Sequence, residues 1–325
     1  MRKLNKITVI IPVYNGEKDI SRAINSLLQQ SIFVDILVID DGSTDKTKDV
    51  VMSLAKDHDN IRYVYKENDG VSEARNLGMD LVKSEYFAFL DADDYVKPQM
   101  YEQMLGKIEE TGSDICFTDF LWKFPDKERA QKDTGYKDRH ELLVGLFAVL
   151  WNKLYRTSWF RETGLKCPKV VSDEDSSLLY RLVYHMEKVC YVEEEMVYYV
   201  QRETSIKHTY NERVFGIIEV LEGIRKYYED KGAYEEFKEE IEYLYIRYLF
   251  GNSYLSACRL KDKTMRKKAL NAFWNLLTKT YPDYKNNRYL RQGGKKNLYF
   301  RLLNKTLYFS FSPVFRFLNQ IGLMN

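Results

Sequence analysis

The chain has 325 residues, 45% hydrophobic and 30% charged, which allows one large or two ordinary domains with a real core and argues against general disorder. No window approaches 18 uninterrupted apolar residues, and the four scattered cysteines form no C-x-x-C pair, so a spanning helix, a disulfide framework and a zinc knuckle are all disfavoured. The net charge of +2 hides a split: residues 259–325 hold 15 Lys and Arg against two acids, a local +13, and the remainder carries −11.

The N-terminus passes through Lys3 and Lys6 directly into a strand-like run without a signal-peptide core, so cytosolic residence is expected. Ile7–Val13 is a continuous apolar, largely β-branched run, the mark of a buried strand. Asp19–Gln30 places Ile20, Ala23, Ile24, Leu27 and Leu28 on one helical face. Asp35–Asp41 (DILVIDD) reads as a second buried strand. Ser43 or Thr44 is then expected to cap a helix carrying Val50, Val51 and Leu54. Ile61–Tyr65 is a third strand, and Ser72 is expected to cap the helix holding Ala74, Leu77, Gly78 and Leu81. Glu85–Leu90 is a fourth strand, Lys97–Glu110 a helix, and Asp114–Phe120 a strand. Repeated β–α units of this kind predict an α/β fold with a mainly parallel sheet flanked by helices.

The middle of the chain is less regular. Lys123–Arg139 reads as a charged loop. Glu141–Leu150 and Asp175–Met186 read as helices, and Val189–Val192 and Met196–Val200 as two short strands. From about Phe215 onward the pattern is helical, with Phe215–Tyr228 and Tyr234–Arg259 long and amphipathic. The expected division is a catalytic domain over 1–210 and a helical region over 211–325, basic and aromatic from 259.

Ligands of open α/β sheets bind beyond the carboxyl ends of the strands. Here those ends read Pro12-Val13-Tyr14-Asn15-Gly16, Asp40-Asp41-Gly42-Ser43 and Asp91-Ala92-Asp93-Asp94. Carboxylates converging on one crevice repel each other unless a cation joins them. Mg²⁺ or Mn²⁺ fits, because these ions keep few carboxylate ligands and usually hold substrate phosphates as well. An Asp after a strand is also a common turn former, and that reading is taken for Asp45 and left open for Asp94. Asn15 and Gly16 have a plain turn reading too. Tyr14 is read either as packing or as a base-stacking rim. No G-x-G-x-x-G, P-loop, G-x-S-x-G or H-E-x-x-H pattern competes, and His58, His140, His185 and His208 are too scattered for a zinc site.

The blocks VIIPVYNGEKDISRAINSLLQQS, VIDDGSTDKT and NDGVSEARNLGMDLVKSEYFAFLDADD together resemble family 2 glycosyltransferases of the GT-A fold. The similarity continues through WNKLYRTSWF and SDEDSSLLYRL to about Ser205. The resemblance implies an inverting, metal-dependent transferase that moves a sugar from a UDP-sugar to an acceptor hydroxyl. It implies that Pro12, Val13, Tyr14 and Asn15 line the nucleoside pocket, that Asp41 reads the base, and that Asp40 supports the turn. Asp91 would meet the ribose beside Ala92, Asp93 would bind the metal, and Arg75 would reach the diphosphate or donor sugar. Asp175 would be the general base, oriented by Glu174, although both also suit the acidic first turn of a helix. Lys153, in the Trp151-Asn152-Lys153 block, is expected at the donor or acceptor, and Arg202 and His208 at the diphosphate or metal. A lone histidine is more often structural than a ligand.

The basic C-terminal stretch also holds 12 aromatic residues. It is read as a solvated helical face, as an anionic-membrane surface anchored by Phe309, Phe311, Phe315 and Phe317, or as an RNA binder. The leading expectation is an enzyme extending a lipid-linked oligosaccharide for a capsule, exopolysaccharide or other surface glycan at the inner face of a membrane. A noncatalytic sugar-nucleotide-binding partner of such an assembly is the alternative.

Overall fold

The computed structural model describes residues 6–170, 172–201 and 211–320. They form two compact units. The first holds the described residues of Met1–Arg139, Gly145–Lys169 and Leu178–Glu203; the second holds those of His140–Val144, Val170–Ser177 and Thr204–Asn325.

The first unit is built on one sheet. β1 (Ile7–Val13), α1 (Ile20–Leu28), β2 (Asp35–Asp41), α2 (Thr47–Ala55), β3 (Ile61–Lys66), α3 (Val71–Leu81) and β4 (Tyr86–Phe89) follow the expected alternation. β5 (Tyr95–Val96), α4 (Met100–Thr111), β6 (Ile115–Lys123), β7 (Glu128–Gln131), α5 (Arg139–Gly145), β8 (Lys153–Arg156), α6 (Thr157–Glu162), α7 (Glu174–Leu182) and β9 (Val189–Val200) come next along the chain, with most of α5 and the start of α7 counted in the second unit. The sheet order is β3-β2-β1-β4-β8-β6-β9-β5, with β7 beside β6. β3, β2, β1 and β4 run parallel, as crossover helices require. The other half is mixed, because β8 pairs antiparallel with both β4 and β6.

Every residue of β1 is buried, so both of its faces are covered. Ile7, Val9, Ile11 and Val13 share one apolar cluster with Ile20, Ile24 and Leu27 of α1, Val51 of α2 and Met104 of α4. Ile10 meets α3 on the other face. A Cβ on Gly78 would stand 2.5 Å from the Ile10 Cγ2, so glycine allows that helix to press against the strand.

Several local expectations give way to neighbouring geometry. Ser72 lies inside α3, whose preceding residue is Gly70, and the Ser72 hydroxyl donates to the Pro168 carbonyl at 2.8 Å. Helix α2 starts only at Thr47, so neither Ser43 nor Thr44 caps it. The charged 123–139 stretch contains β7, paired with β6. Helix α5 ends at Gly145, well short of Leu150. The two short strands expected near 190–200 are one strand, β9; its register against β6 shifts around Asp119, where the acidic Glu193-Glu194-Glu195 run interrupts the apolar pattern.

The second unit is helical after residue 211: α8 (Gly216–Asp230), α9 (Tyr234–Arg247), α10 (Ser253–Arg259), α11 (Lys263–Thr280), α12 (Arg288–Arg291), α13 (Lys295–Leu302) and α14 (Lys305–Gln320). A π-helical turn, Tyr248–Asn252, joins α9 to α10. Its Phe250 stacks on Trp274 with ring centroids 5.3 Å apart, and both rings meet Tyr308, which is fully buried. The aromatic residues of the basic stretch therefore supply much of this unit's core. Among the described residues no helix is long and apolar enough to cross a membrane.

Candidate active site

Strand β1 lies between β2 and β4, so the strand order reverses there, and in open α/β sheets such a reversal puts ligands beyond the carboxyl ends of the strands, here β1 and β4. The loops after β1, β2 and β4 all emerge at that edge.

The first two loops are laced together. Asn15 takes a left-handed backbone (φ 52°), which Asn tolerates better than most residues. Its amide donates to the Ser43 hydroxyl at 2.9 Å, and its side-chain oxygen accepts from the Thr44 amide at 2.8 Å. The Gly16 amide donates to the Thr47 hydroxyl, and the Glu17 amide to Asp45. Asp45 also accepts from the Thr47 amide and hydroxyl. Burial opposes the Asp45 charge, but the Thr47 hydroxyl and the Glu17 and Thr47 amides outweigh it and hold the carboxyl below its ordinary value. Tyr14 is left 55% exposed at this rim, beside ordered backbone.

Asp40 and Asp41 have separate jobs. Asp40 accepts from the Ser43 amide at 2.7 Å and from the Tyr63 hydroxyl at 2.6 Å, which fixes the turn after β2. Burial and then that bond to Asp40 push the Tyr63 phenol well above its ordinary value, so it stays a donor. Asp41 accepts from the Asp69 amide at 3.1 Å, the Gly70 amide at 2.9 Å and the Lys66 ammonium. Three chain donors on a carboxylate leave it about one acceptor position.

The third loop carries Asp91, Ala92, Asp93 and Asp94. Arg75 lies one turn before Gly78 on the same face of α3, so the close approach at Gly78 drives Arg75 inward, where it is 3% exposed. Its Nη2 reaches the Asp91 Oδ1 at 3.1 Å, and the Asp91 side chain keeps 29% exposure. The Asp93 carbonyl accepts from Arg22 at 2.6 Å. Asp94 is fully buried and accepts from the Val200 amide at 2.8 Å, tying this loop to the end of β9. Among the described residues no three His, Cys, Asp or Glu side chains gather into a metal cage.

Glu174 and Asp175 open α7, in the part of that helix that belongs to the second unit. Asp173 just before them is the other non-glycine residue with a left-handed backbone (φ 58°) among the described residues. The Ser177 amide donates to the Asp173 carbonyl at 3.0 Å.

A family model described as "Glycosyl transferase family 2" matches residues 8–185. The chain belongs to that family. It is a glycosyltransferase, and its sheet is the GT-A sheet expected from the sequence. The match spans the three strand-tip loops and the Glu174-Asp175 pair. An uncharacterized glycosyltransferase of Escherichia coli, YibD, is 27% identical over 272 residues, 76% of this chain and 79% of its own length. Staphylococcus aureus TarS 1–349, crystallised with UDP-GlcNAc, superposes with a TM-score of 0.72 at 19% identity, covering 98% of this chain and 92% of that one. A Pyrobaculum calidifontis mannosyltransferase, PcManGT, holding GDP-Man and Mn²⁺, gives 0.56 at 13% identity, with 98% and 88% coverage. These two likenesses concern the fold alone.

Lys153, expected at the donor or acceptor, sits inside the first unit of this glycosyltransferase. Lys153 has no exposed surface, and its ammonium bonds Asp133 at 3.2 Å, the Val149 carbonyl at 2.8 Å and the Asn152 side chain at 2.6 Å. Asp133, also fully buried, accepts in addition from Asn152, the Tyr136 hydroxyl and the Phe147 amide. Lys153 thus holds the turn before β8. Asp133 escaped sequence reading because it sits among the charges of 123–139. Arg202 and His208 lie outside the described residues.

Proposed function

We propose that the protein transfers a sugar, with inversion and with the help of Mg²⁺ or Mn²⁺, from a UDP-sugar to the hydroxyl of a lipid-linked oligosaccharide used for a capsule, exopolysaccharide or other surface glycan. The observation that carries the donor half is the buried Arg75 aimed at Asp91 in the acidic loop after β4, at the strand-order reversal. A guanidinium held there suits the oxygens of a diphosphate. Pro12, Val13, Tyr14 and Asn15 are assigned to the nucleoside, Asp41 to the base through its remaining acceptor position, and Asp91 and Ala92 to the ribose. TarS, of the same fold, was crystallised with UDP-GlcNAc, which supports a uridine donor here.

Asp93 is assigned to the metal. Mg²⁺ and Mn²⁺ take one or two carboxylates and complete their shell with phosphate and water, which fits Asp93 beside a diphosphate. Mn²⁺ in the PcManGT structure supports the same choice. When bound, the ion supplies positive charge to the departing diphosphate. Arg75 adds charge of the same sign from a fixed, buried position, so it needs no reorganisation as the bond breaks. Asp175 is assigned as the base that takes the acceptor's proton, with Glu174 orienting it.

The acceptor half rests on the basic residues 259–325, which suit an anionic membrane surface where a lipid-linked acceptor would be met. Incubation with a panel of UDP-sugars and Mn²⁺ tests the donor reading. Slow hydrolysis or transfer from one donor, lost in Asp175→Asn while binding is kept, is the expected result. Binding without turnover by the unaltered protein would instead support a noncatalytic partner.

A further inference from the structure

Three of the four phenylalanines expected to anchor the chain on a membrane pack against aromatic neighbours. Phe311 and Phe315 of α14 are half-buried against Tyr299, and Phe315 also meets Tyr254. Phe309 is half-buried beside Tyr308, and the side chain of Phe317 lies outside the described residues.

A different apolar surface is exposed in this unit. Around α13, Phe300 marks the inner side at 1% exposure. The helical repeat puts Lys295, Leu298 and Leu302 roughly opposite it, with Arg301 alongside. Leu298 is 48% and Leu302 61% exposed, and Val314 on α14 is 51% exposed. A helix facing water normally sets polar residues opposite its buried side; this one sets two leucines four residues apart. Residues 284–325 contain eight Lys and Arg and no acid, and Lys305 opens α14 directly after this face. An apolar crest with cationic flanks is the pattern of a helix lying in the headgroup layer of an anionic bilayer.

We propose that α13 is the docking surface for an anionic lipid membrane, with Leu298 and Leu302 entering the interface and Lys295, Arg301 and Lys305 meeting the lipid phosphates. This sharpens the membrane-bound acceptor reading above and rests on it. The test uses the full chain and sedimentation with vesicles of phosphatidylcholine alone or mixed equally with phosphatidylglycerol. The wild type should bind the mixed vesicles and leave the neutral ones largely free. Leu298→Glu/Leu302→Glu should lower the partition coefficient about tenfold or more. Lys295→Ala/Arg301→Ala/Lys305→Ala should lower it by about a hundredfold. Donor hydrolysis by both variants should be unchanged, which also shows that they fold. If the wild type ignores anionic vesicles, the membrane reading fails together with this proposal. If the wild type binds and both variants bind equally well, the membrane reading stands and α13 is not its surface. Should the leucine variant instead dissolve a dimer seen by size-exclusion chromatography and bind vesicles normally, a second copy covers this face and the proposal is overturned.

Discussion

Replacing Lys153 with methionine separates a structural role from a ligand-binding one. The substitution keeps most of the side-chain volume and deletes a cation with no exposed surface. Asp133 is left buried, with three remaining donors: the Asn152 amide, the Tyr136 hydroxyl and the Phe147 amide. Removing one partner of a buried ion pair costs about 3–5 kcal/mol, and the surviving hydrogen bonds point to the lower end, about 3 kcal/mol. For a protein of this size that corresponds to a fall in Tm of roughly 4–5 °C. Adding Asp133→Asn removes the uncompensated charge and should return more than half of the loss, a coupling that a double-mutant cycle reads directly. The kcat/KM of the folded variant should stay within about threefold of wild type. A Lys153→Met protein with unchanged Tm and a kcat/KM reduced about a hundredfold would refute this reasoning and return Lys153 to the ligand.

Three further outcomes follow from the geometry. Arg75→Met should lower kcat about 10²–10³-fold, and Arg75→Lys should restore little, because a point charge does not reproduce the planar fork; steady-state kinetics with saturating donor decide this. Gly78→Ala drives a methyl against Ile10 and should cost about 1–3 kcal/mol in urea unfolding, with Ile10→Val recovering part of it. The Asp45 carboxyl sits below its ordinary value, so the stability it gives is present above the unfolded value near pH 4 and is lost as pH falls through the lower folded value. Asp45→Asn should therefore flatten the acid limb of a Tm-against-pH curve and leave the slope between about pH 6 and 8 unchanged.

The parallel half of the sheet was legible because β1 and β2 are buried on both faces, and burial writes itself as unbroken runs such as ITVIIPV and DILVID. The antiparallel half was harder. β8 is a four-residue strand whose lysine faces a buried aspartate rather than water, so it has neither an apolar run nor clean alternation. β9 was split in two because a register shift absorbs three glutamates in mid-strand. The acidic tips after β2 and β4 could be read as a ligand edge, since strand order and chemistry both point there. What their carboxylates do at rest could not be read. Asp41 is engaged by Lys66 and by two backbone amides from a loop some 28 residues away in sequence, partners no local pattern announces. The C-terminal aromatics left more than one reading open, because composition cannot distinguish rings that build a helical core from rings that face lipid.

In the proposed donor site a nucleoside diphosphate is gripped at the tips of β1, β2 and β4 through a cation on Asp93. Calorimetric titration of UDP with and without Mn²⁺, into the wild type and Asp93→Asn, tests it most directly. Mn²⁺ should tighten UDP binding to the wild type by at least about tenfold, and Asp93→Asn should bind UDP at the metal-free strength whether or not Mn²⁺ is present. An Asp93→Asn protein that keeps the full manganese enhancement would contradict the assignment.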